Sequence, residues 1–280
     1  MSTHRNEIAA SIVYFDSCLE ELRRCILTVL EAFVHSYEKY GSKFSYRLIL
    51  INNGGKDLAE LVAAFENRYT FDANSVSIDL LQGHGNLGYG CGHNMSLEAF
   101  PSCYHLFLNP DVTLEVDVIA AGIQFLNSNP DIAIASPSCV DSTGQKQFLC
   151  KQYPTVLVLF LRAFSNDFLQ QIFAKRLQKY EMRGFATGGV LPNLSMLSGC
   201  FMLCRTSILI KANGFDPRYF LYFEDFDLSI RASEYGNLAY VPSMKICHNG
   251  GYASKKGLKH ILLFVRSAFR FFNAHGWKWY

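Results

Sequence analysis

Apolar residues recur along the chain in two rhythms, and the rhythm changes at polar or glycine-bearing breaks. Residues 8–15 form a mostly apolar run that ends at Asp16-Ser17, and residues 46–51 form another, stopped by Asn52-Asn53-Gly54-Gly55. Continuous runs of this kind suit parallel strands buried on both faces. Between them, Leu19, Leu22, Ile26, Val29, Leu30 and Phe33 fall on one stripe of a helix predicted over residues 18–40. The pattern continues with a helix at 58–65 and a strand at 76–81. A glycine-rich loop at 83–92 then leads into a short helix to Phe100, and a strand at 104–108 ends in Asn109-Pro110-Asp111. A helix at 116–126 and a strand at 132–135 follow.

The second half is less regular. It predicts an apolar helix at 154–169 and a mobile glycine-bearing loop at 183–193. A strand at 196–204 and a short helix at 205–212, stopped by Asn213-Gly214, come next. A helix at 224–235, a strand at 238–241 and a basic amphipathic helix at 256–274 complete the chain. Strands alternating with helices imply an α/β fold with a mainly parallel sheet. Ligands of such sheets sit at the carboxyl ends of the strands. Asp16, Asn52, the 83–92 loop and Asp111 all fall there.

Composition narrows the picture. With 280 residues, half of them hydrophobic and 18% charged, the chain is globular rather than disordered. A net charge of +2 gives no case for nucleic acid, but its distribution is uneven. After Glu234 there is no Asp or Glu, while seven Lys or Arg follow, so the tail is a candidate for an anionic surface. The nine cysteines form no C-x-x-C pair and read as free thiols of a reducing cytoplasm. No signal peptide fits the polar N-terminus, and the runs at 156–161 and 261–265 are too short to span a bilayer.

Four constellations offer chemistry. Glu224-Asp225-Phe226-Asp227 places three acids behind the bulky run Phe220-Leu221-Tyr222-Phe223, and downstream of Ser198-Gly199-Cys200 and Gly214-Phe215-Asp216. Apolar walls raise a carboxylate's affinity for protons, as a general base requires. A helix cap accounts for one or two of these acids, and Asp227 with Arg231 has the spacing of a helical ion pair. Asp111 at a strand end can hold a hard cation, or Asn109-Pro110-Asp111 is an ordinary turn. Gly83-His84-Gly85-Asn86-Leu87-Gly88 matches G-x-G-x-x-G after a strand, with Asp111 downstream, and so allows a dinucleotide-binding loop. Gly90 and Gly92 weaken that reading, because the fingerprint wants a good helix there. His248 opens His248-Asn249-Gly250-Gly251 beyond an apolar strand and is either structural or a ligand.

In order and spacing these motifs resemble the inverting glycosyltransferases of family 2, and within them the rhamnosyltransferase-like branch, over residues 8 to about 254. The resemblance implies a GT-A fold: Rossmann-like, with a mainly parallel sheet, helices on both faces, and further acceptor-side elements and a helix at the C-terminal end. It divides the chain into a nucleotide-sugar half at 1–136, an acceptor and catalytic half at 137–254, and a basic amphipathic helix at 255–280. Asp225 would be the base, with Glu224 positioning the acceptor or the base. Asp111 and His248 would hold Mg²⁺ or Mn²⁺ on the diphosphate, with Ser254 in the adjoining loop. Tyr14 and Asp16 would face the base and ribose. Asn52, Asn86, Gly88, Asn94 and Asn109 would complete the donor site, the loop offering backbone N–H groups to the phosphates. Asn52 stands where family members usually carry Asp, which alters the donor pattern offered to the base. The implied donor is a dTDP- or UDP-sugar, dTDP-rhamnose by preference, and the implied acceptor is a bacterial surface glycan, free or lipid-linked. The final helix would either lie in a membrane interface or pack on the core.

Two readings from other classes remain open at this stage. One is a nicotinamide-dependent oxidoreductase built on Gly83–Gly88, which leaves Glu224–Asp227 without a task. The other is a non-catalytic nucleotide- or glycan-binding subunit.

Overall fold

The computed structural model describes residues 6–68, 75–164, 167–185, 188–193, 195–249 and 257–280. In chain order the first half runs β1 (Asn6–Tyr14), α1 (Leu19–Tyr40), β2 (Phe44–Asn52), α2 (Ala59–Arg68), β3 (Val76–Leu81) and α3 (Tyr89–Ala99). Then come β4 (Tyr104–Leu108), β5 (Val112–Leu114), α4 (Val118–Ser128) and β6 (Ile132–Val140). The second half runs β7 (Lys146–Gln147), β8 (Cys150–Gln152), α5 (Val156–Phe164), α6 (Asp167–Ile172), α7 (Ala174–Tyr180) and β9 (Gly189–Val190). It closes with β10 (Ser195–Leu197), β11 (Phe201–Arg205), α8 (Thr206–Lys211), α9 (Glu224–Ser233), β12 (Asn237–His248) and α10 (Leu258–His275).

One large sheet carries these elements in the order β3-β2-β1-β4-β11-β6-β12-β5. Strands β3, β2, β1 and β4 pair in parallel, as their continuous apolar runs predict, and β6 pairs in parallel with β12. Strand β11 lies antiparallel between β4 and β6 and joins the two parallel blocks. The predicted stripe of α1 is buried: Leu22, Ile26, Val29, Leu30 and Phe33 face the sheet. Within the core, Ser11 Oγ of β1 lies 2.7 Å from His93 Nδ1 of α3 and 2.8 Å from His105 Nε2 of β4. Burial lowers the proton affinity of both imidazoles.

Several boundaries differ from the sequence expectation. The strand expected at 196–204 is two strands, broken at Ser198-Gly199-Cys200, because the Gly199 N–H is drawn to Asp225 instead of a neighbouring strand. The short strand expected at 238–241 extends to His248, with a register shift between Val241 and Lys245. Pro242, which lacks an N–H, sits in that irregularity. The apolar stretch at 154–169 divides into α5 and α6. Gly90 and Gly92 lie inside α3, where a side chain would enter Phe215 or Val13, so they serve close packing.

Helix α10 packs one face on an aromatic cluster: Phe271 and Phe272 are buried, with Phe264 and Ala268 against Tyr153, Tyr219 and Phe223. Its opposite face leaves Leu258, Leu262, Val265 and Phe269 exposed. Among the described residues, no helix is long and apolar enough to cross a membrane.

Candidate active site

The acid pair sits where a turn is forced into α9. Tyr222 and Phe223 both have left-handed backbones, with φ of 70° and 66°, a costly arrangement for two adjacent bulky residues. Aromatic packing holds it. Phe223 meets Phe226, Phe264 and Phe271, and the Tyr222 hydroxyl lies 2.9 Å from His260 Nδ1. The turn buries Glu224, which is 4% exposed, at the first position of α9. Glu224 Oε2 has no hydrogen-bond partner among the described residues. Burial, and then the neighbouring Asp225, push its carboxyl well above the usual range. Asp225 accepts N–H bonds from Gly199 at 2.8 Å and Phe226 at 2.9 Å, yet burial still raises it to about 6. A carboxylate with that affinity is matched to proton abstraction near neutrality. Asp227 makes the helical ion pair its spacing predicts, with Arg231 Nη2 at 2.6 Å, and also meets His275 Nε2 at 2.8 Å.

A second pair forms where β5 and β12 run antiparallel and set Val112 opposite His248. His248 Nε2 then lies 3.3 Å from Asp111 Oδ1. Gln147 fixes the ring. Its Nε2 donates to the His248 carbonyl at 3.1 Å, so its Oε1 is the atom 3.1 Å from Nδ1. In a neutral imidazole the proton therefore sits on Nδ1, and Nε2 turns its lone pair toward the Asp111 carboxylate. A nitrogen lone pair and a carboxylate oxygen converging in this way fit a shared divalent cation, with the ring oriented by a partner behind it. No group of three or more His, Cys, Asp or Glu suited to a metal occurs among the described residues, so further ligands of such an ion would be substrate oxygens or water. Ser254 lies outside the described residues, as do Gly250 and Gly251.

The two acid centres share neighbours. Cys200 O accepts the Asn109 N–H at 3.1 Å, while the preceding Gly199 holds Asp225. The Tyr89 hydroxyl donates to Gly199 O at 2.5 Å. Burial first, then Cys200, Glu224, Asp225 and Asp111, raise the Tyr89 hydroxyl well above its ordinary value. One tyrosine thus lies in the field of all three carboxylates.

The residues expected around the donor divide into two groups. At the ends of β1 and β2, Asp16 is exposed, with φ of 43°, and its carboxylate rests on the backbone of Gly54. Tyr14 is buried, and its hydroxyl donates to Ser17 O at 2.9 Å. Asn52 braces its own loop: Nδ2 donates to Lys56 O at 2.6 Å, and Oδ1 accepts the Gly54 N–H at 3.0 Å. Asn94 makes a reciprocal pair with Phe215, Nδ2 to O at 2.7 Å and N–H to Oδ1 at 2.8 Å, which ties α3 to the second half. The expectation that the glycine loop offers its N–H groups to phosphate is corrected at two positions. Asn86 Oδ1 accepts the Gly88 N–H at 3.0 Å, and Phe220 O accepts that of Tyr89 at 3.1 Å. Those same bonds occupy two N–H groups that a dinucleotide-binding loop would offer to phosphate. Gly88 has φ of 85°, and a side chain there would strike the Phe220 carbonyl.

Sequence reasoning missed Tyr89 and Gln147, and gave Gly199 no role of its own. Tyr89 and Gly199 stand beside motif residues, but Gln147 has no local signal and acts only through the β6–β7 and β6–β12 pairings.

No family model matches the chain. Rhamnosyltransferase WbbL of Escherichia coli (strain K12) is 28% identical over 201 residues, covering 65% of this chain and 70% of that protein. An N-acetylglucosaminyl-diphospho-decaprenol L-rhamnosyltransferase of Mycobacterium tuberculosis is 27% identical over 222 residues, covering 74% of this chain and 67% of that protein. The crystal structure of GalNAc-T7 with UDP, GalNAc and Mn²⁺ matches 96% of this chain with a TM-score of 0.60 at 12% identity. The chain spans 48% of that protein's length, and the likeness is one of fold. The chain is therefore similar in sequence to rhamnosyltransferases and shares the GT-A fold of a glycosyltransferase.

Proposed function

We propose that the chain is an inverting family 2 glycosyltransferase that moves a sugar, L-rhamnose by preference, from a dTDP- or UDP-sugar to a hydroxyl of a bacterial surface glycan, free or lipid-linked. The observation that carries this reading is the meeting of two acid centres at Tyr89 and the 198–200 turn. The relatives' names support the sugar, and one of them names a diphospho-decaprenol-linked acceptor.

Asp225 accepts the acceptor hydroxyl's proton as that oxygen bonds to the anomeric carbon and the bond to the diphosphate breaks. A single displacement inverts the anomeric centre and needs no covalent sugar on the protein. Glu224 Oε2, which has no hydrogen-bond partner among the described residues, would meet the same acceptor. Asp111 and His248 would hold Mg²⁺ or Mn²⁺, which when bound offsets the charge of the departing diphosphate. Residues 1–136 would serve the donor and 137–254 the acceptor. The exposed apolar stripe of α10, edged by Lys259, Arg266 and Arg270, would rest on an anionic membrane surface, which suits a cytoplasmic enzyme with a lipid-linked acceptor.

Asp225→Asn is expected to lower transfer by about a hundredfold or more while leaving nucleotide binding intact. Assays with dTDP-rhamnose and UDP-sugars, each with Mn²⁺ and with a chelator, check this. Residual transfer near the wild-type rate would remove Asp225 from the base role, and binding of nucleotide unaffected by both the chelator and Asp111→Ala would remove the metal.

A further inference from the structure

Glu181, just past α7, sits among three cations. Arg162 of α5 reaches it through Nη1, Arg183 through Nη2 at 2.6 Å, and Lys151 of β8 stands 3.9 Å away. The cluster holds one described carboxylate against three positive charges, and the Lys151 side chain is only 12% exposed. Burial, and then the Arg162 charge, push its ammonium down to about 8. Lys151 is the buried member, and a buried ammonium is unfavourable unless anions join it.

Tyr180 and strand β10 link the cluster to Asp225. The Tyr180 ring centroid is 5.7 Å from Lys151 Nζ and 5.4 Å from Arg162 Cζ, and the Tyr180 hydroxyl also feels Asp225. Strand β8 sets Lys151 opposite Met196 of β10, which runs on to the Gly199 N–H that holds Asp225. A small cavity opens beside the cluster, lined in part by Glu181, Lys146 and Gln147, the partner of His248.

We propose that Lys151, Arg162 and Arg183 form a subsite for the acceptor's phosphate, the phosphate or diphosphate ester that joins the acceptor sugar to its lipid. This rests on the reading of Asp225 as the base, since the acceptor would lie beside that base. Arginine forks match phosphate oxygens in pairs, and the lysine adds a point charge. The donor diphosphate belongs instead to Asp111 and His248.

The test is calorimetric titration of the full chain with geranyl diphosphate, geraniol and inorganic pyrophosphate in chelator, and with UDP in Mn²⁺. Arg162 and Arg183 are 38% and 48% exposed, so Arg162→Gln and Arg183→Gln can be made without opening the core. Each is expected to weaken geranyl diphosphate about tenfold or more and to weaken pyrophosphate by a similar factor, with UDP changed less than about twofold. Geraniol is expected to bind far more weakly than its diphosphate. Asp111→Asn should give the reverse pattern. Unchanged geranyl diphosphate affinity in both arginine variants would overturn the proposal. So would equal loss of UDP, which would give the cluster to the donor or to the fold, and so would geraniol binding as tightly as its diphosphate. None of these readouts needs turnover, so the subsite can fail while the transfer reading stands, or the reverse.

Discussion

Glu224 and Asp225 are held in the fold at a cost in stability. Glu224 binds its proton more tightly in the folded chain than its ordinary value of 4.5. The fold is therefore favoured at low pH and loses that contribution as pH rises past 4.5 toward the elevated value. Glu224→Gln removes the loss, so it is expected to raise the melting temperature at pH 8 by about 2–4 °C, with little change near pH 4. Transfer should fall in the same variant; melting curves at the two pH values, alongside a rate assay, check both. Wild-type kcat/KM should climb with pH through about 6, where Asp225 loses its proton, and then level off. The acids were legible in the sequence because they follow four bulky apolar residues. The asparagines were not. Asn94 reads as a ligand beside a glycine loop, yet its partner Phe215 is 121 residues away, and only the assembled fold reveals that its amide is taken. Asn52 is absorbed by its own loop in the same way.

Among elements, the parallel strands and α1 were readable because burial on both faces, or on one stripe, writes itself into local periodicity. The break between β10 and β11 was not, because an apolar run hides a turn whose partners, Asp225, Tyr89 and Asn109, lie far off in sequence. The extension of β12 was hidden by Pro242, which ends a strand in sequence but only kinks this one. The glycine loop reads as a phosphate cradle, yet at Gly88 its backbone lies on Phe220. Gly88→Ala is expected to destabilise the chain by about 2 kcal/mol or more, from left-handed strain plus displacement of Phe220. Because Phe220 leads into the Tyr222–Phe223 turn, transfer should fall further than nucleotide binding does. Chemical denaturation with parallel titrations decides this, and an unshifted midpoint would count against the contact.

At the scale of the whole molecule, α10 packs on the core as one of its two sequence expectations has it, and its other face is left for experiment to test. One face is core; the other is an exposed stripe of Leu258, Leu262, Val265 and Phe269. Leu262→Glu combined with Phe269→Glu is expected to abolish co-sedimentation with anionic vesicles while leaving the melting temperature nearly unchanged, since neither side chain is buried. Wild-type protein remaining in the supernatant would remove the membrane role. Truncation before α10 would not make that distinction, because it strips Phe264 and Phe271 from Phe223. The left-handed Tyr222–Phe223 turn then has a temporal consequence. A growing polypeptide that has emerged only through α9 carries the three acids of the proposed reaction but only Phe226 of the rings that meet Phe223, so the bend gains Phe264 and Phe271 only when the later helix is made and docks.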